Sequence, residues 1–114
     1  MEYTWKITNI KTADTADVAD AIVQTYWTKT GTDENGNEGT FTGATPFALA
    51  TVNPDTFVPL SSLTEETVLS WIQGVVVNDY EEHVNGQIQK QIDLKIVKEV
   101  KMPWAPEEIV EPIV

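Results

Sequence analysis

"AIVQTYWTKTGTDENGNEGTFTGATPF", residues 21–47, is the stretch that decides the fold. Two runs rich in Val, Ile, Thr, Tyr, Trp and Phe, side chains that suit a pleated surface, flank the polar residues 33–37. Within them Asn35-Gly36 is a strong hairpin signal, because a two-residue type I′ turn needs positive φ at both central positions. A side chain at position 36 would cost about 1–2 kcal/mol in that conformation. The expectation is an antiparallel hairpin with Asn35 and Gly36 at its tip. The threonines on both strands predict that one sheet face looks toward water.

Working outward, "YTWKIT", residues 3–8, alternates Tyr3, Trp5 and Ile7 against Thr4, Lys6 and Thr8. That period of two is the pattern of a half-buried strand. The polar connector "TADTADVAD", residues 12–20, joins it to the hairpin, so the first half reads as a three-stranded antiparallel meander. Residues 44–61, with Pro46, Pro54 and Pro59, read as a long loop crossing the core, with a short strand around Phe57-Val58 and anchors at Phe47, Leu49, Phe57 and Leu60.

The second half reads as helix. "SLTEETVLSWIQGVV", residues 62–76, opens with Thr64 as N-cap, Glu65 and Glu66 at the positive pole, and Leu63 placed to staple onto Val68. Val68, Leu69, Ile72, Val75 and Val76 form its apolar face. A second helix opens near Asn78-Asp79 and runs to about Val100, with Tyr80, Val84, Ile88 and Ile92 on one stripe and Lys95, Lys98 and Lys101 gathered at the negative pole. Gly86 weakens it by about 1 kcal/mol relative to alanine and marks a place for a break. The fold class expected is α+β: a meander with two C-terminal helices packed on one face, residues 1–101 forming a single domain and residues 102–114 an extended proline-rich tail.

Charge narrows the partners. Eighteen acidic residues face seven lysines and no arginine, a net charge of −11. Such a surface repels phosphate backbones and lacks the planar fork that reads guanine, so neither nucleic acid nor an anionic membrane is an expected partner. No apolar run approaches the roughly 20 residues of a membrane span, and the opening "MEYTWKITNIK" carries no pattern of a secretion signal. Cysteine is absent, which excludes disulfides and thiolate metal sites.

No catalytic constellation emerges. His83 is the sole histidine, flanked by Glu81 and Glu82, with no second histidine, cysteine or serine motif to work with. "DENGNE", residues 33–38, offers Asp33, Asn35 and Glu38 as oxygen ligands but lacks the spacing and distal glutamate of a calcium loop. The hairpin reading accounts for the same residues with fewer assumptions. Gly31, Gly36, Gly39 and Gly43 sit at or beside the hairpin and match no phosphate-binding loop. The chain is therefore expected to be no enzyme, and to need no cofactor and no metal.

Trp5, Trp27 and Trp71 fall on regular elements and read as core residues, whereas Trp104 lies between Pro103 and Pro106 in "MPWAPEEIVEPIV", residues 102–114. Proline stiffens this segment in an extended form, and its apolar side chains offer a docking surface at low entropic cost. Trp104, Ile109, Val110, Ile113 and Val114 are the expected contacts with a protein partner or with further copies, and Asn35 and Gly36 at the hairpin tip are a weaker second contact.

"WKIT" (5–8), "TYWTKTGTDENGN" (25–37), "ATPF" (44–47), "LTEETVLSWI" (63–72), "QIQKQI" (87–92) and "MPWAPE" (102–107) together resemble small uncharacterised proteins of tailed bacteriophages, marine cyanophages among them. The resemblance spans nearly the whole chain and includes no catalytic motif. It implies a phage protein, carried in the virion and assembled in the bacterial cytoplasm. Two functions follow as expectations. One is a structural or assembly subunit of the particle (head decoration, neck or tail accessory) that forms an oligomer or joins a larger body. The other is an intracellular effector that inhibits a host protein, with acidic mimicry of DNA as one route.

Overall fold

The computed structural model describes residues 1–49 and 52–104. Three strands, β1 (Glu2–Ala13), β2 (Ala21–Thr32) and β3 (Glu38–Pro46), form one antiparallel sheet in the order β1-β2-β3. Two helices follow, α1 (Glu65–Val75) and α2 (Asn78–Ile96), preceded by a single 3-10 turn at Leu60–Ser62. The α+β meander-plus-helices architecture expected from the sequence is the one observed.

The register explains the two faces. Trp27 stands opposite Ile7 on β1 and Gly43 on β3, and Lys29 stands opposite Trp5 and Phe41. All these side chains share one face with Thr25, Gly31 and Thr45, because alternate residues of a strand point the same way. The other face carries threonine rows such as Thr4–Thr30–Thr40, with the Thr30 and Thr40 hydroxyls 3.0 Å apart. Strict alternation would turn Asn9 inward after Ile7. An irregularity at Thr8 shifts the pairing so that Ile10 faces Thr25 and joins the core side instead.

Both helices lie on the Trp27 face. Ile22, Trp27, Val68, Ile72, Val76, Val84, Ile88 and Ile92 make the buried cluster, with Trp5, Ile7, Ile10, Phe41, Phe47, Leu60, Leu63 and Leu69 packed around it. Trp27 is fully enclosed, and its indole N–H donates to the Thr45 hydroxyl at 2.9 Å while the Thr25 hydroxyl donates to the Thr45 carbonyl at 2.9 Å. Two glycines let the layers close. A Cβ at Gly43 would run into the Trp27 ring, and one at Gly39 would run into the Ile88 carbonyl of α2. The α2 backbone thus rests directly on β3.

Thr64 caps α1 as expected, its hydroxyl accepting from the Thr67 N–H at 3.2 Å. Asn78, at φ 55°, makes the reversal into α2, a left-handed backbone that asparagine tolerates better than most residues. Helix α2 continues through Gly86 without a break. Four expectations are revised. The hairpin tip is no two-residue type I′ turn: Asn35 has no positive φ, Gly36 does (83°), and the loop spans residues 33–37, closed by Asp33 N–H to Asn37 C=O. The buried row of α1 is Val68, Ile72 and Val76, one residue in four, so Val75 points outward and Trp71 stays on the flank, edge-on to Phe47 at 5.9 Å. No strand forms at Phe57-Val58. Helix α2 ends at Ile96, four residues short of Val100, because β-branched Val97 takes an extended backbone (φ −83°, ψ 133°).

Candidate functional site

The early end of α2 creates the feature with most functional content. The helix runs along the sheet toward the hairpin end: Tyr80 and His83 meet the Phe41 ring, Asn85 reaches Lys29, and Ile88 lies over Gly31 and Gly39. Ile92 is its last buried residue, since the sheet runs out beyond it. Leu94 and Ile96 are exposed, and the chain then continues without helix or strand as an arm that holds Val97 at 69%, Val100 at 70% and Trp104 at 79% exposure. The arm carries Val100, Met102 and Trp104 and makes a turn at Pro103 and Trp104. The ring of Pro103 pushes the residue before it, Met102, toward extended backbone.

The charges on the arm oppose those of the body. Residues 95–104 hold three lysines against one glutamate, a net of +2, and residues 1–94 hold four lysines against fourteen acidic residues, a net of −10. Only Lys95 lies in the last turn of α2, where it meets the helix dipole. Lys98 and Lys101 lie beyond it.

A second feature is a groove of about 370 Å³ between β1 and the start of α1, with Ile7, Ile10, Ile22, Leu60, Leu63 and Val68 as its apolar lining and Thr8, Asn9, Thr64 and Glu65 at its rim. The Thr8 irregularity lies in its wall, and Ile7 and Ile10 on either side of it both line the groove. Beside it, a further cavity of about 320 Å³ lies between Phe47, Val52, Phe57, Val58, Leu63 and Trp71. Both free sheet edges are engaged by helix side chains. Glu65 accepts the Ile7 N–H at 2.9 Å, and the Gln91 amide takes both the N–H and the C=O of Thr40 at 2.8 Å each. These contacts blunt edges that would otherwise template strand pairing.

Of the expected contact residues, Trp104 is on the arm, while Ile109, Val110, Ile113 and Val114 lie outside the described residues. Asn35 and Gly36 are exposed at the hairpin tip, on the side of the sheet toward which the arm departs. The tip is built around Asp33, whose carboxylate accepts from the backbone N–H groups of Asn37 (2.8 Å) and Asn35 (2.9 Å) and from the Asn37 amide (3.2 Å). The Asn37 N–H is the main reason that this carboxyl sits below its ordinary pKa of 3.8. Those oxygens are thus committed to the loop's own donors. Among the described residues no three His, Cys, Asp or Glu side chains come together as a metal cage. His83 is exposed and stands edge-on to Phe41 at 5.8 Å.

Sequence reasoning missed Lys29. It is 3% exposed, and its ammonium donates to Asn85 Oδ1 at 2.6 Å while lying 4.2 Å above the Tyr3 ring and 4.9 Å from the Trp5 ring. Burial lowers its pKa from 10.5 despite the opposing pull of Glu81. The clue was the alternation itself, since position 29 shares a face with Trp27. No helix among the described residues is long and apolar enough to cross a membrane.

Among known proteins, a family model described as a domain of unknown function, DUF7936, matches residues 1–104. No curated protein and no solved structure matches the chain.

Proposed function

We propose that this chain, which belongs to the DUF7936 family, is a non-enzymatic structural or assembly protein of a bacteriophage particle that contacts its neighbours through its C-terminal arm. The observation that carries the reading is the arm itself: exposed apolar side chains attached to a body whose buried core, from Ile22 to Ile92, does not include them. Large apolar side chains held in water are costly, at about 25 cal/mol per Å² left uncovered, and a polypeptide that covers them recovers that free energy. The matched family extends to residue 104 and so includes the arm as far as Trp104. The phage setting rests on the likeness of the strings quoted above, and the place of action it implies is the virion.

The test is quantitative mass spectrometry of purified particles, with the wild-type chain and a chain ended after Ile96. The reading expects many copies of the first and loss of the second, which should stay folded by circular dichroism and tryptophan fluorescence. A wild-type chain confined to the host lysate would sink it and favour the effector alternative.

A further inference from the structure

We infer that the partner of the arm is a second copy of this chain, and that the arm's exposed Val100, Met102 and Trp104 dock in the neighbour's groove between β1 and α1. The inference rests on the assembly reading above and adds to it both the identity of the neighbour and the receiving surface. The groove is apolar where the arm is apolar, with Ile7, Ile10, Leu60, Leu63 and Val68 facing a cleft large enough for an aromatic side chain. Its rim carries Glu65, followed by Glu66 in the first turn of α1, opposite in sign to Lys98 and Lys101. Residues 95–104 carry a net +2 against −10 for residues 1–94, so each copy presents a basic segment and an acidic body. Complementarity of that kind sets orientation and speeds encounter.

Within its own subunit the arm stands clear of this groove, with Trp104 79% exposed. A contact of this head-to-tail kind produces rings where the rotation closes and open chains of subunits where it does not.

The natural absence of cysteine makes a direct test clean. Chains carrying Met102→Cys are mixed with chains carrying Thr8→Cys, or Ser62→Cys in case position 8 disturbs the strand, each checked for native fluorescence. Docking between copies expects a mixed disulfide between the two populations. It also expects self-association in sedimentation velocity that is at least about tenfold weaker with Trp104→Ala. Lys98→Glu with Lys101→Glu should weaken it as well, and so should added salt. Only an intramolecular disulfide in a doubly substituted chain, or a full-length protein that stays monomeric with no mixed disulfide, overturns the inference. If such a protein still enters particles and loses that entry without its arm, the assembly reading stands and its partner is a different polypeptide.

Discussion

Lys29 offers the sharpest test of how the sheet and α2 are held together. Two effects compete there. The aliphatic stem fills space between Trp5, Phe41 and α2, and the ammonium gains Asn85 and two aromatic faces at the cost of leaving water. Lys29→Ala removes three methylenes beyond Cβ, about 2.5 kcal/mol of burial. It also forfeits the polar contacts but relieves the desolvation, so a net loss of about 2–3 kcal/mol is expected. Lys29→Met keeps the volume. It gives up a charged hydrogen bond worth about 1.5–3 kcal/mol and desolvated cation–π contacts of about 2 kcal/mol each. It also removes the several kcal/mol of burying an ammonium, leaving stability within about 1 kcal/mol of wild type. Urea unfolding followed by tryptophan fluorescence measures both. A methionine variant as unstable as the alanine variant would refute the argument, by showing that the polar contacts and not the stem hold the layers. The pH dependence is a second check. The folded-state pKa of Lys29 is lowered, so the folded protein releases this proton before the unfolded chain does. The cost of the buried charge is present in full below the folded pKa. It fades as pH rises from there toward 10.5, so wild type should gain on Lys29→Met across that alkaline window.

Three further outcomes are expected. Gly39→Ala places a methyl against the Ile88 carbonyl, a backbone atom that no rotamer change can move. It should cost about 1–3 kcal/mol in urea unfolding and shift the amide resonances of α2 around Ile88. Gln91→Ala opens the β3 edge at Thr40, where water replaces the lost partners. The stability loss should stay near 1 kcal/mol while hydrogen exchange at the Thr40 amide rises, and an unchanged exchange rate would contradict the role assigned to Gln91. Asp33 should titrate below 3.8 by NMR, so its contribution to hairpin-tip order is present above that value and is lost as pH falls through the lowered pKa. Titration at or above 3.8 would mean that the Asn35 and Asn37 donors do not hold the carboxylate in solution.

Local chemistry was legible residue by residue. Tyr3, Trp5 and Ile7 announced their shared face by alternation, Thr64 announced the start of α1, and the row Val84, Ile88, Ile92 announced the buried stripe of α2. Each depends on the rotation of successive residues about one strand or helix axis, a property the sequence contains within about ten positions. What depends on a surface brought from elsewhere was not legible. The burial of Lys29, the clamp of Gln91 on Thr40 and the clearance at Gly39 each join β-sheet and helix residues about fifty positions apart. The exposure of Trp71 and of the arm likewise follows from where a three-stranded sheet stops, not from the residues themselves. Periodicity therefore determined the elements and the side each would bury. The width and length of the assembled sheet decided which apolar side chains found cover, and Val97, Val100 and Trp104 stay largely exposed among the described residues.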